Sequence, residues 1–208
     1  MTESKFLIMA RTFKEAMENR RTYYSISSAS TISDEEIQEI VRYAVLHVPS
    51  AFNSQTTRVV ILFGENHTKL WNIVKEELRR AISDEAFKTS QNKINKCFAS
   101  GYGTILFFED LDIVRKLQEQ YPTYSENFPV WSQQTSGMHQ WAVWTMLEDA
   151  GLGASLQHYN PLIDAAVTKE WNLNPHWLLK AQMPFGKPVD EPGIKEFLPL
   201  EDRVLVFK

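Results

Sequence analysis

Two short apolar segments limit most strongly what this chain can fold into. They are ValValIleLeuPhe at 59–63 and ThrIleLeuPhePhe at 104–108, both rich in β-branched and aromatic residues. Continuous apolar runs of this length are typical of strands that are buried on both faces of a sheet. A third strand is predicted at 178–183, and segments with helical spacing separate the three. We therefore predict an α+β fold in which helices surround a small central sheet.

Helices are predicted wherever apolar residues recur at steps of three and four. Phe6 and Met9 begin this spacing in the first helix. The predicted helices are 3–19, Ser33 to a residue before Pro49, 67–82, a helix through Val114 and Leu117 that ends before Pro122, 132–150 and 161–171. Residues 83–100 are polar and give no clear prediction. The 132–150 helix is apolar over much of its circumference, which predicts burial on several sides or against another subunit.

Length, charge and cysteine content exclude several classes of protein. The 208 residues predict a single domain, 1–208. The net charge of −4 and the absence of a Lys or Arg run argue against nucleic acid as a partner. Cys97 is the only cysteine, so we expect no internal disulfide and interpret its thiol as a small buried hydrophobe. The N-terminus is unlike a secretory signal, and no apolar stretch approaches the ~20 residues of a membrane span. We therefore expect a cytoplasmic protein with no membrane partner.

The last residues of the sequence form a further predicted strand. ValLeuValPhe at 204–207 is apolar, and only Lys208 follows it. A strand needs a neighbour for its backbone hydrogen bonds. We expect this strand to pair with a sheet in another subunit.

Several common types of active site are absent from the sequence. GlyTyrGly at 101–103 and GlyLeuGly at 151–153 each precede a strand segment, whereas a dinucleotide-binding loop follows a strand and opens a helix. The five histidines form no close pair, so we expect no zinc or other metal site. Ser155 is not part of a Gly-x-Ser-x-Gly motif, which argues against a serine hydrolase.

Three polar loop segments are the candidates for a ligand site. ArgArgThrTyrTyr at 20–24 could bind a phosphate through forked hydrogen bonds, or could be a solvated basic helix end. ProSerAlaPheAsnSerGln at 49–55 could bind the edge of a heterocycle, or could be a turn that uses Asn and Ser for local bonds. The glycine-rich segment 151–161 could present backbone N–H groups to a ligand.

The order of these segments resembles the pattern of the nitroreductase family. The matching elements are Arg20–Thr22, Pro49–Gln55, Gly151–Gly153, and Lys195 followed by ProLeuGlu at 199–201. The resemblance spans nearly the whole chain and is greatest to a compact bacterial and fungal branch named for a fatty-acid-repression protein. It implies a nitroreductase-like fold with a mostly antiparallel sheet, and a homodimer in which the C-terminal strand extends to the partner subunit.

The resemblance also implies that FMN is the cofactor and which residues bind it. The resemblance assigns Arg20, Arg21, Thr22 and Lys195 to the phosphate and ribityl chain of FMN. It assigns Ser50, Asn53 and Gln55 to the flavin ring, which they contact partly across the dimer interface. The Gln157–His158 step matches the position that presents backbone N–H groups to flavin N5 and O4. Proton donation by the His158 side chain stays open, because a lone histidine is more often structural.

Two positions depart from the family pattern. Tyr24 stands where the family often has Lys or Arg near flavin N1 and O2, and it can donate only a neutral hydrogen bond. Phe197 replaces an arginine commonly found two residues after the C-terminal lysine, and no motif supports Arg203 as its substitute. These changes bear on the reduction potential of the flavin.

The activity implied is reduction of small acceptors such as nitroaromatics or quinones. NADH or NADPH would give a hydride to the flavin and leave before the acceptor binds, which is a ping-pong mechanism. The role that the resemblance implies is defence against oxidative or chemical stress. Tyr124, Phe128 and Trp131 are candidates to cover the flavin face, with core packing as the alternative. One further alternative is a regulatory protein that holds FMN without turnover. Another is a helical interaction protein without a cofactor.

Overall fold

A five-stranded antiparallel sheet forms the centre of the protein. The computed structural model describes residues 11–208, so Phe6 and Met9 of the first predicted helix lie outside the described residues. The strands are β1 (Ile26–Ser27), β2 (Thr57–Phe63), β3 (Gly103–Asp110), β4 (Gly153–Ala154) and β5 (Trp177–Pro188). Their order is β1-β5-β3-β2, with β4 also paired to β5, and every pairing is antiparallel. The three strands predicted at 59–63, 104–108 and 178–183 are thus confirmed as parts of β2, β3 and β5.

Seven helices of the described part surround this sheet. They are α1 (Phe13–Asn19), α2 (Asp34–His47), α3 (Gly64–Ala81), α4 (Asp84–Cys97), α5 (Leu111–Gln120), α6 (Asn127–Asp149) and α7 (Asp164–Glu170). A capping box begins α2, because the Ser33 and Glu36 side chains each accept a hydrogen bond from the other residue's backbone N–H. Helix α4 lies in the segment that gave no clear prediction. Within residues 11–208, no helix is both long and apolar enough to cross a membrane.

The central strand β3 carries side chains of both hydrophobic clusters. Because side chains alternate along a strand, Ile105 and Phe107 pack with α2 and α6, whereas Leu106 and Phe108 pack with α3, α4 and α7. All of β3 is buried, as predicted. Cys97 is half-buried and packs against the second cluster, so its thiol is less enclosed than we predicted.

Strand β2 is less buried than the sequence predicts. It pairs with β3 along one edge only, because it is the last strand of the sheet in this subunit. Residues 58–61 are consequently only partly buried, although Val59 and Ile61 pack against the first cluster. The expectation of burial on both faces for 59–63 is therefore wrong for the isolated subunit. A continuous apolar run does not reveal whether a strand lies at the edge.

The chain leaves the sheet after β5 as an exposed arm. Residues 189–208 form no strand, and Val204, Leu205, Val206 and Phe207 are each more than half exposed. The single subunit offers them no strand neighbour, so the predicted strand at 204–207 is absent from it. Pairing of this segment with another subunit stays a prediction.

Candidate active site

The dibasic segment after α1 runs beside strand β4. Helix α1 ends at Asn19, and Arg20 is its C-cap. Thr22 forms a parallel bridge with Ala154, and the Tyr23 N–H donates to the Ala154 carbonyl at 2.9 Å. Because β4 is hydrogen-bonded to β5, the short Arg20–Tyr24 segment has a fixed place on the central sheet.

The structure brings this segment together with the C-terminal arm around one cavity. The cavity has a volume of about 450 Å³ and is lined by Arg20, Arg21, Thr22, Tyr24, Pro192, Gly193, Ile194 and Lys195. All four predicted N-terminal site residues thus lie together with the predicted Lys195. The Arg21 guanidinium also donates a hydrogen bond to the Gly193 carbonyl, which attaches the arm to the dibasic segment.

Arg20 is a cation that lacks a counterion in the described part of the chain. Its guanidinium carbon lies 4.3 Å from the ring centroid of Trp144, so one of its faces is covered. The Nη1 atom is buried and has no hydrogen-bond partner among the described residues. Burial, and then the charge of Arg21, lower the pKa of Arg20. An anion in the cavity would give the Nη1 atom a hydrogen-bond partner and would oppose the lowering of the Arg20 pKa.

Tyr24 lies in the cavity wall next to a lysine that sequence analysis missed. The Lys93 Nζ atom of α4 is 5.2 Å from the centroid of the Tyr24 ring. A second lysine, Lys195, has its Nζ atom 5.1 Å from the ring of Phe197, while Arg203 does not line the cavity. A lysine therefore lies beside each of the two residues, Tyr24 and Phe197, that replace a cation of the family pattern in this chain. No motif links 93 to 24, because the contact depends on how α4 packs.

The second predicted segment, 49–55, is a loop with unusual backbone geometry. Phe52, Asn53 and Gln55 have φ values of 57°, 50° and 49°, in the left-handed region that few residues other than glycine adopt. The Ser50 hydroxyl accepts a hydrogen bond from the Gln55 N–H at 3.0 Å. Strained loops of this kind are concentrated at functional sites.

An aromatic cluster holds Phe52 at the tip of this loop. Its ring lies 5.0–5.9 Å, centroid to centroid, from four rings of the α5–α6 region, namely Tyr121, Tyr124, Phe128 and Trp131. The Trp131 ring is nearly parallel to that of Phe52, at 20°. Phe52 itself stays 49% exposed. The cluster presents flat apolar surface beside the polar loop.

A buried carboxylate fixes the end of the same loop. Glu109 on β3 is 1% exposed and accepts hydrogen bonds from the hydroxyls of Thr56, Thr57 and Ser132. Thr56 and Thr57 directly follow Gln55, so the loop is anchored where it enters β2. No pattern in the sequence indicates this role, because Glu109 comes directly after the apolar run 104–108 and matches no motif.

The loop and the cation cavity are separate within one subunit. None of Ser50, Asn53 and Gln55 lines the cavity formed by the dibasic segment and the arm. The structure of one subunit therefore does not bring all ten predicted residues together. Gln157 and His158 do not line this cavity either.

The third segment, 151–161, contains β4, which runs alongside the dibasic segment. The Gln157 N–H donates to the Gln182 carbonyl at 2.7 Å and is thus not available to a ligand. His158 is exposed, and its N–H donates to no acceptor in residues 11–208. Of the two predicted backbone donors, only His158 is free for a ligand. No acidic or basic side chain of the described residues is hydrogen-bonded to its imidazole.

Comparison with known proteins gives a consistent family assignment. The nitroreductase family model matches residues 17–187. Nitroreductase CinD from Lactococcus lactis, solved in complex with nicotinic acid, is 46% identical, with a TM-score of 0.88 over 95% of this chain and 100% of that chain. Nitroreductase FRM2 of Saccharomyces cerevisiae is 32% identical over 188 residues, which is 89% of this chain and 93% of FRM2.

A more distant structure shares the fold. A protein from Desulfovibrio desulfuricans, solved in complex with FMN, is 18% identical, with a TM-score of 0.68 over 95% of this chain and 98% of that chain. The antiparallel sheet and the helices around it are thus the nitroreductase-like fold that the sequence predicts. The family model covers most of the chain, and relatives above 30% identity match it almost end to end. The chain belongs to the nitroreductase family and is an oxidoreductase.

Proposed function

We propose that the protein binds FMN and uses NADH or NADPH to reduce small aromatic acceptors. The observation that carries this proposal is Arg20, whose buried Nη1 atom has no hydrogen-bond partner among the described residues. Arg20 lines one cavity together with Arg21 and Lys195. Three cations around such a cavity fit the phosphate of a nucleotide, because charge-assisted hydrogen bonds to phosphate oxygens would satisfy the free donors. The FMN complex of the Desulfovibrio protein, which has the same fold, supports this choice of anion.

The protein's own residues have separable roles in this proposal. Arg20, Arg21 and Lys195 bind the phosphate. Thr22 offers its hydroxyl to the ribityl chain of FMN, which follows the phosphate. The His158 N–H, which has no acceptor among the described residues, would donate to the flavin. When bound, FMN would supply the redox chemistry, namely hydride acceptance from a nicotinamide and reduction of a small acceptor.

The polar loop is proposed to reach the flavin of the partner subunit. Ser50, Asn53 and Gln55 do not line the cavity of their own subunit, and their strained loop is held in place by Glu109 and the aromatic cluster. A homodimer would place each loop against the cavity of the other subunit. The apolar side chains of the arm, including Val204 and Phe207, would be covered in the same assembly.

Flat aromatic molecules are the proposed acceptors. The cluster around Phe52 offers exposed ring surface on which a planar substrate could stack. Nitroreductase CinD, 46–47% identical to this chain, has been solved with 4-nitrophenol and with chloramphenicol. Reduction of nitroaromatics and quinones would suit a role in defence against chemical stress.

FMN affinity after substitution of the cations tests the proposed site. Arg20→Ala should weaken FMN binding by about 10- to 100-fold, because a hydrogen-bonded charge contact contributes roughly 1.5–3 kcal/mol. Arg42→Ala is the matched control, since Arg42 is exposed on α2 and, within residues 11–208, forms an ion pair only with Glu39. Fluorescence titration of the FMN-free proteins measures both constants. Equal FMN affinity in Arg20→Ala and Arg42→Ala would refute the phosphate role.

A protein that holds FMN without turnover is the second candidate function. It is favoured by Tyr24 and Phe197, which stand where the family usually has cations that stabilise the reduced flavin. Lys93 beside Tyr24 argues for turnover, because it returns a positive charge to that side of the cavity. Reduction of the bound flavin by NADH separates the two functions.

A further inference from the structure

The indole ring of Trp144 on α6 lies directly against the guanidinium of Arg20. The guanidinium carbon is 4.3 Å from the ring centroid. Two other arginines of the described residues, Arg79 and Arg58, lie farther from their aromatic neighbours, at 5.1 and 5.9 Å. Among aromatic side chains, tryptophan attracts cations most strongly. The Arg20–Trp144 contact is therefore the closest arginine–aromatic contact in this part of the chain.

The ring has a fixed place in the fold. Trp144 is half-buried and packs against the first hydrophobic cluster of the core. An arginine side chain, in contrast, has several rotatable bonds, so the backbone of Arg20 does not determine where its guanidinium lies. The place of the guanidinium therefore depends on the ring against which it is stacked.

Stacking leaves the hydrogen-bonding edge of Arg20 available. All N–H groups of a guanidinium lie in its plane, so a ring against one face uses none of them. The Nη1 atom has no hydrogen-bond partner among the described residues, and Arg20 lines the cavity with Arg21 and Lys195. Trp144 thus holds Arg20 without using the donors that an anion requires.

The carboxylate that would compete for Arg20 is bound by another arginine. Glu148 follows Trp144 by one turn of α6, on the same helix face. Burial and the charge of Arg21 lower the pKa of Arg20, whereas the charge of Glu148 raises it, so this carboxylate acts on the guanidinium. Both Glu148 oxygens, however, accept hydrogen bonds from Arg11 Nη1, at 2.8 and 2.9 Å. Arg11 thereby neutralises Glu148, and Arg20 has no ion pair within residues 11–208.

We propose that Trp144 is a positioning residue that holds Arg20 in the cavity wall for a phosphate group, while Arg11 keeps Glu148 away from it. The inference rests on the proposed function and adds two residues to it. Neither Trp144 nor Arg11 lines the cavity, so both act through Arg20. A guanidinium that is held in place before the ligand arrives loses less conformational freedom on binding.

Comparison of FMN with riboflavin isolates this role, because riboflavin is the same flavin without the phosphate. Trp144→Leu should weaken FMN binding by about 3- to 30-fold, which corresponds to the loss of a cation–π contact. Riboflavin affinity should stay within about twofold of the wild-type value, since the contacts of the flavin ring do not involve Arg20. Trp144→Phe keeps a ring under Arg20 and should recover most of the FMN affinity. Fluorescence titration of the FMN-free proteins measures each constant.

Trp177→Leu is the matched control for the loss of a tryptophan. Trp177 is also half-buried and lies beside an arginine, Arg58, that does not line the cavity. Its ratio of FMN affinity to riboflavin affinity should equal that of the wild type. A wild-type ratio in Trp144→Leu, or an equal fall of the ratio in Trp177→Leu, would overturn the positioning role alone.

Arg11→Ala tests the other half of the inference without altering the core, because the Arg11 side chain is 41% exposed. The released Glu148 carboxylate should pair with Arg20 and lower the affinity ratio by about 3- to 5-fold, as for a partly exposed ion pair. Combining Arg11→Ala with Glu148→Gln should restore the ratio. A ratio that Arg11→Ala does not lower, or that Glu148→Gln does not restore, would overturn the role of Arg11. A wild-type protein that does not prefer FMN to riboflavin would instead overturn the proposed phosphate site, and this inference with it.

Discussion

His67 is a buried histidine whose hydrogen bonds require the neutral ring. Its Nε2 atom lies 3.3 Å from the Ala99 carbonyl, which can only accept, so Nε2 carries the proton. Thr104 Oγ1 accepts from the Trp71 indole at 3.0 Å and can then donate to the His67 Nδ1 atom at 2.8 Å. A second proton, on Nδ1, would point at the hydroxyl hydrogen of Thr104, so the charged ring does not fit these hydrogen bonds. Burial lowers the pKa of His67, and the bond to Ala99 opposes the shift.

Stability should therefore fall as the pH drops through the range in which free histidine is protonated. The unfolded chain binds a proton below pH ~6.5, whereas the folded chain resists it until a lower pH, so acid favours unfolding in this interval. His67→Gln should remove this part of the pH dependence. Urea unfolding from about pH 8 to about pH 5 measures it.

Val74→Ala is the control for this prediction. Val74 is a fully buried residue of the same helix α3 and takes no part in the hydrogen bonds of His67, so this variant should keep the wild-type dependence on pH at a lower overall stability. An unchanged pH slope in His67→Gln would show that this histidine does not titrate on unfolding.

At the scale of elements, the junction of β1 and β5 depends on a close backbone approach. A Cβ atom at Gly186 would lie 2.2 Å from the Ser27 carbonyl oxygen and 3.0 Å from the Tyr102 nitrogen. Both neighbours are backbone atoms that cannot move aside. Gly186 also pairs with Gly153 of β4, so the same junction supports the strand that carries the dibasic segment.

Gly186→Ala should accordingly destabilise the fold by about 1–3 kcal/mol, the usual cost of overpacking. Gly137→Ala is the contrasting variant, because Gly137 is exposed in α6 and a Cβ atom there would meet nothing within 4 Å. It should gain about 0.5–1 kcal/mol. Urea unfolding of both variants checks the signs. A neutral Gly186→Ala would contradict the close approach.

The elements also show what the sequence can and cannot predict. Sequence patterns predict β3 and α2 because every residue of β3 is buried and the buried residues of α2 recur at steps of three and four. They also predict the buried middle of β5. They miss α4, whose buried face rests mainly on Phe87 and Ile94 among polar residues. The cation cavity was predictable from motifs, since Arg20 and Lys195 belong to the family pattern. The contacts of Lys93 and Trp144 were not, because they arise only from tertiary packing.

At the scale of the whole molecule, the exposed arm and the separated site segments have one common explanation. A dimer would cover the apolar side chains of 198–207 and would bring each 49–55 loop to a cavity. Deleting 204–208 should then weaken association, because the apolar area buried between subunits falls. Sedimentation at several concentrations measures the dissociation constant.

The control for this deletion is a chain that lacks only Lys208, which should associate like the full chain. Equal dissociation constants for the full chain and the 204–208 deletion would show that the arm takes no part in the interface. A full chain that stays monomeric would refute the shared site.

Anaerobic reduction of the FMN-loaded protein tests the central claim most directly. The visible flavin absorbance is recorded while NADH, and separately NADPH, is added without oxygen, and a quinone or 4-nitrophenol follows. We predict that at least one nicotinamide bleaches the absorbance and that an acceptor restores it. Bound FMN whose absorbance persists with both nicotinamides would contradict the claim that this protein is an FMN-dependent oxidoreductase.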